Sequence, residues 1–165
     1  MKRILFTWLC CLVSMAMSGQ KTVQRLEIET KLRSDSYTIV PVAERGVVMF
    51  AQDRTPNLLN QSNWTFSHYD TNLNQLWEKD LELSAFSLLE GYDTDGDNVY
   101  LLFRRFSSDV YDFFRIDTKA QTLVHLPRQS LRKLDFEDFK VLNGYAFVAG
   151  TSKRTPILLH FNLNA

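Results

Sequence analysis

Cysteine is almost missing from this chain of 165 residues, and the two it has, Cys10 and Cys11, both sit near its start. They fall in a segment expected to be removed, so the mature chain has no disulfide, thiolate metal ligand or cysteine nucleophile. Neither suits lipid attachment, because Thr7-Trp8-Leu9 precedes Cys10 where a small residue is needed. An excess of one charge is lacking too: 19 Lys and Arg stand against 19 Asp and Glu, and past residue 20 the balance is 17 against 19. Nucleic acid is therefore not an expected partner, since polyanion binding needs a concentrated positive surface. A G-x-S-x-G elbow, a phosphate-binding glycine loop, a dinucleotide fingerprint and an H-E-x-x-H pair are all missing. The longest apolar run, Ile4 to Val13, is too short to remain as a membrane span.

That run has a purpose of another kind. Lys2-Arg3 ahead of it and Ala16, Ser18 and Gly19 behind it make residues 1–20 a secretory signal peptide, cleaved after Ser18, Gly19 or Gln20. The mature protein is expected to be exported, periplasmic or secreted, with no membrane anchor.

Residues 21–165 read as one repeat-built, all-β domain. Trp64 to Leu83 is a strand, a polar turn opened by Asp70-Thr71, and a second strand. The same grammar returns at Val110 to Arg128, where Asp117-Thr118 heads the turn, and begins again at Pro156 to Asn164. Aligning Asp70 with Asp117 matches Tyr69 with Ile116, Leu76 with Leu123 and Trp77 with Val124, and Phe161 takes the place of Tyr69 in the third copy. The spacing is 47 residues from Tyr69 to Ile116 and 45 from there to Phe161. Strands opened by Gly46, Asn98 and Gly144 lie upstream, and before them come Tyr37 to Val42, Phe86 to Leu89 and Phe136 to Val141.

Four short strands in about 45 residues is the spacing of a propeller blade. The expected architecture is a β-propeller-like array of four-stranded antiparallel blades, in units near 37–83, 86–130 and 136–165, the third lacking its last strand. Such an array is part of a larger or incomplete propeller, with an open edge able to pair with another chain. A β-sandwich with regularly spaced strands is the alternative. Val23 to Glu29 alternates like a half-exposed strand, and Leu131 to Leu142 reads as a linker entering a strand, with a short helix as competitor.

The pattern W-T-F-S-H-Y-D-T-N-L-N-Q-L-W, Trp64 to Trp77, resembles the blade of secreted propeller-like repeat proteins of Gram-negative bacteria, and more distantly the repeats of quinoprotein-type propellers. Val124 replaces the tryptophan in the second copy, and Asn74 or Gln121 stands where the quinoprotein repeat has glycine. The resemblance implies an architecture, and a propeller fold carries no function by itself.

Asp93, Asp95 and Asp97 are the candidate metal ligands, because carboxylates at alternate positions open an oxygen-ligand calcium loop. The continuation departs from that loop, with Asn98 in the sixth position and Arg104 in the twelfth. A hairpin turn around Asp95-Gly96 explains the same residues. His68 and His160 share one repeat position, with Arg115 between them in the series, on the strand face opposite Tyr69, Ile116 and Phe161. A recurring polar face accounts for them better than a metal site, and His125 stands apart. Arg104-Arg105 beside Phe103 and Phe106 is a strand edge or a stacking site for an anionic ligand. Glu137-Asp138 is a carboxylate pair with nothing to tune it, and Asn60 and Asn63 head sequons. Tyr69, Trp77, Tyr100, Phe103, Phe114, Tyr145, Phe147 and Phe161 are assigned to the core between blades.

The expected function is a non-catalytic extracytoplasmic binding or scaffold module, without a cofactor, contacting a protein or glycan. The alternative is the propeller portion of a secreted hydrolase or oxidoreductase whose catalytic residues lie elsewhere.

Overall fold

A computed structural model describes residues 24–28, 37–53, 55–131 and 134–163. The signal segment lies outside them. Of the strand expected over Val23–Glu29, the described part, 24–28, is not in a strand.

Three antiparallel sheets follow one another along the chain. The first holds β1 (Thr38–Pro41), β2 (Val47–Gln52), β3 (Gln61–Tyr69) and β4 (Gln75–Ser84), in that order. The second holds β5 (Ser87–Asp95), β6 (Asn98–Arg105), β7 (Val110–Asp117) and β8 (Thr122–His125), and β9 (Gln129–Ser130) also pairs with β7. Together β8 and β9 form one interrupted outer strand, broken at Pro127, which has no N–H to give to the ladder. The third sheet holds β10 (Asp135–Leu142), β11 (Tyr145–Ser152) and β12 (Thr155–Asn162). Leu131 to Leu142 thus becomes a linker and a strand, and the described third sheet has three strands.

The repeat is a fact of register. Val47 pairs with Tyr69, Val99 with Ile116 and Ala146 with Phe161. The strand openings Gly46 and Asn98 then correspond to Tyr145, one residue after the expected Gly144. Asp70 and Asp117 do the same work in the turns that follow: Asp70 Oδ1 accepts the N–H groups of Asn72 and Asn74, and Asp117 Oδ1 those of Lys119 and Ala120. A further repeated device is a bulge in the first strand of the second and third sheets, at Glu90 and Glu137, which stand at matching places opposite β6 and β11.

The second sheet is buried on both faces. Val99, Leu101, Phe103, Phe114 and Ile116 pack against Val48, Phe50, Trp64 and Phe66 of the first sheet. Tyr100, Leu102, Tyr111 and Phe113 pack against Phe139, Val141, Ala146 and Val148 of the third. Adjacent residues of β6 therefore enter different cores, as the two-residue period of a strand demands. Ring contacts tie the layers, with Trp64 and Phe103 edge to face at 4.9 Å and Phe113 against Phe139 at 6.0 Å.

Candidate functional site

Successive turns of an up-and-down sheet alternate between its two ends, so each end gathers residues far apart in sequence. One end carries the turns β1–β2, β3–β4, β5–β6, β7–β8 and β10–β11. The candidate ligands Asp93, Asp95 and Asp97 run up to and into it, and they diverge. Asp93 Oδ2 accepts the Val141 N–H at 2.7 Å and Asp95 Oδ2 the Gly144 N–H at 2.8 Å, binding the second sheet to the third. Asp97 Oδ1 instead accepts from Arg45 Nε at 2.6 Å, binding the second sheet to the first. Among the described residues no group of three or more His, Asp and Glu is arranged to hold a metal ion. Gly96, with φ +59°, carries the two-residue turn between Asp95 and Asn98.

The electrostatics of this end follow from its hydrogen bonds. The bond from Arg45 holds the Asp97 carboxyl below the usual carboxylate range, and the same bond raises the Arg45 guanidinium. Asp70 is lowered by its bonds from Asn74. Glu44, Asp70, Asp95, Asp97 and Asp117 lie here with Arg45 and Lys119, an acidic surface.

The histidines are dispersed. His68 lies in the first core beside Trp77, 1% exposed, its Nε2 bonded to the Arg45 carbonyl at 3.1 Å. Its expected place on a polar face is therefore corrected: it shares the buried side of β3 with Trp64 and Phe66. His125 stacks on Phe114 and its Nε2 meets Asp112, which also accepts from Arg128. His160 is exposed beside Tyr145 and Phe147. Those two aromatics, expected in a core, lie on the outer face of the third sheet. Arg104 is bound to Glu90 rather than open to a ligand: burial works against its charge, but the carboxylate keeps its pKa raised.

The opposite end is different in kind. The β2–β3 connection presents Leu58 fully and Leu59 largely to solvent on a turn organised by Asn57, whose Oδ1 accepts the N–H groups of Leu59 and Gln61. The β4–β5 turn exposes Phe86 and the β6–β7 turn exposes Phe106. Backbone bonds join these turns, from Ala85 N–H to the Asn60 carbonyl and from Phe106 N–H to the Phe86 carbonyl. Arg105 is exposed beside Phe106, exposed Asp109 ends the same turn, and at this end of the third sheet the β11–β12 turn consists of Lys153 and Arg154. Both of those have positive φ, +50° and +67°, a conformation that costs side-chain-bearing residues about 1 kcal/mol or more. Sequence reasoning missed this surface, though apolar residues in polar turns were a readable signal.

A third feature is a groove of about 300 Å³ on the outer face of the first sheet, lined by Met49, Ala51, Thr65, Ser67, Tyr69 and Glu78, with Ile28 and Tyr37 from ahead of β1. Ser67 Oγ donates to Glu78 and Thr65 Oγ1 to Asp80. Asn63 Oδ1 is buried at this groove with no hydrogen-bond partner among the described residues.

Among the described residues no helix is long and apolar enough to cross a membrane. No family model matches the chain, and neither a curated protein nor a solved structure matches it.

Proposed function

We propose that this chain is an exported, non-catalytic binding or scaffold module, a propeller-like array of blades that engages a protein through its apolar and basic turn end. What supports the array is the succession of meander sheets, each packed face to face on the next in the same register. A two-layer sandwich does not call for a middle sheet buried on both sides. The observation that carries the binding site is the set Leu58, Leu59, Phe86 and Phe106, exposed on turns hydrogen-bonded to one another. Contiguous exposed apolar residues rimmed by charge mark interaction surfaces. Apolar side chains favour a protein over a glycan, and Arg105, Lys153 and Arg154 favour a partner with acidic residues around its contact.

Photo-crosslinking in the exporting cell tests this. A photoreactive residue placed at Leu58 or Phe106 should give a discrete adduct with one exported protein, and one placed at Glu44 or Lys119, on the acidic end, should not. Equal labelling from both ends, or turnover of substrate by the purified chain, would contradict the reading.

A further inference from the structure

We propose that the open edge of β12 accepts a strand from a second copy of the chain, and that this strand is Gln24–Ile28. The inference rests on the register of the three sheets and not on the partner proposed for the turn end.

The edge is identified by its neighbours. Strands β3 and β7, the equivalents of β12, are covered on their far side by β4 and β8, whereas β12 pairs only with β11 among the described residues. One bond fixes how its backbone is turned: Leu163 N–H donates to the Gly144 carbonyl, as Thr118 N–H donates to the Asp97 carbonyl. Leu159 and Phe161 therefore turn their N–H and C=O toward β11, and Leu158 and His160 turn theirs outward. Leu158 stands where Phe113 stands in β7, and there the Phe113 carbonyl accepts the Leu126 N–H across the same edge. An edge of this kind is a template for a further strand.

Burial agrees. Phe114 and Ile116 of β7 are 4% and 0% exposed, with His125 and Leu123 opposite them on β8. Their equivalents in β12, Leu159 and Phe161, also point into a core against the preceding sheet, but they are only half-buried. A cavity of about 250 Å³ lies beside Phe161, bounded by Phe113, Leu126 and Pro127 of the second sheet. In the neighbouring core the residue opposite Ile116 is Leu123, packed with Trp77 and Leu81. A strand on β12 with apolar residues opposite Phe161 and Leu159 completes the burial of both.

Gln24–Ile28 has that pattern. From Arg25 to Ile28 it alternates polar and apolar, yet it lies in no strand, and residues 24–27 are exposed. Run antiparallel to β12 with Leu26 opposite Phe161, it sets Ile28 opposite Leu159 and keeps Arg25 and Glu27 on the solvent side. The Glu27 N–H and C=O then meet those of His160. In its own chain Ile28 lies against the first sheet, and the second sheet stands between that sheet and the third. The donor is therefore another copy. Donor and acceptor surfaces differ, so the association runs head to tail and ends in a ring or a filament.

The exported chain should gain mass in sedimentation velocity between about 1 and 100 μM. Leu26→Asp, at an exposed position, should keep the melting temperature of the dilute protein and remain monomeric throughout. A synthetic peptide of residues 22–30 should bind the Leu26→Asp chain, and the same peptide N-methylated at Glu27 should bind at least about tenfold more weakly, having lost its donor to His160. Because Cys10 and Cys11 lie in the segment expected to be removed, single cysteines give a directional test. Mixing Glu27→Cys with His160→Cys should give a disulfide-linked heterodimer under mild oxidation, since such paired residues stand about 5.5 Å apart at Cα, while neither alone gives a homodimer. A monomer at every concentration would overturn the proposal, and so would equal binding of the methylated peptide. An intramolecular disulfide in a dilute chain carrying both cysteines would also overturn it, by making the strand the chain's own.

Discussion

Phe66 and Leu158 hold the same place in the repeat, and their environments make opposite demands on a substitution. Phe66→Ala should cost about 3–5 kcal/mol in a urea titration, because it empties a closed core. Leu158→Ala should stay within about 0.5 kcal/mol in dilute protein, because it removes no buried contact. Asp97 supplies a pH test. Its folded pKa lies below the unfolded one, so its stabilisation is complete above the ordinary carboxylate range and is lost as pH falls through the lowered value. Thermal stability should hold from neutral pH down to about pH 5 and decline below about pH 4. Asp97→Asn should flatten part of that decline, and added salt should weaken the effect of this exposed pair. Single residues were the least legible scale in the sequence. Alternation separates the two faces of a strand, but in β3 and β6 both faces are largely buried, so it does not say that His68 is inside. Nor does it say that Tyr145 and Phe147 lie on the last face of the stack. Asp93, Asp95 and Asp97 look like one cluster on paper because strand and turn geometry, which sends them to three partners, is not written in their spacing.

Among the elements, turns were the most legible. The Asp-Thr openings at Asp70 and Asp117 set the alignment and then proved to be equivalent side-chain-to-backbone brackets. The strand from Asp135 to Leu142 was ambiguous for a definable reason: the bulge at Glu137 inserts a residue, placing Phe136 and Phe139 three apart in a helix-like spacing. Two turns offer tests of opposite sign. Gly46 has φ +103°, and a Cβ there would come within 2.1 Å of the Tyr69 carbonyl oxygen. Gly46→Ala should therefore lower stability by roughly 1–3 kcal/mol from backbone strain alone, with the clash in addition. Lys153-Arg154 occupies a two-residue hairpin turn that suits Asn-Gly, as the Asn143-Gly144 turn of the same sheet shows. Lys153→Asn with Arg154→Gly should raise stability by about 1–2 kcal/mol. The same change should weaken crosslinking from Leu58 if the basic pair serves the partner surface.

For the whole molecule, the even charge balance conceals a division between the ends. Acids outnumber bases in the turns on one side, while the exposed apolar residues and a small excess of bases lie on the other. This was hidden in the sequence because consecutive turns belong to opposite ends, so residues sharing an end are separated by a pair of strands. The all-β class and the three-unit division were legible because strand spacing and turn chemistry are local, whereas face, end and groove depend on how the sheets stack. Stacking also predicts where stability concentrates, since the second sheet is packed between the other two. Amide hydrogen exchange, resolved strand by strand on the exported chain at low concentration, tests that arrangement most directly. β6 and β7 should exchange slowest, near the limit set by global unfolding, and β4 and β12 orders of magnitude faster. Protection in β6 and β7 no greater than in β12 would mean that the second sheet is not enclosed between the other two.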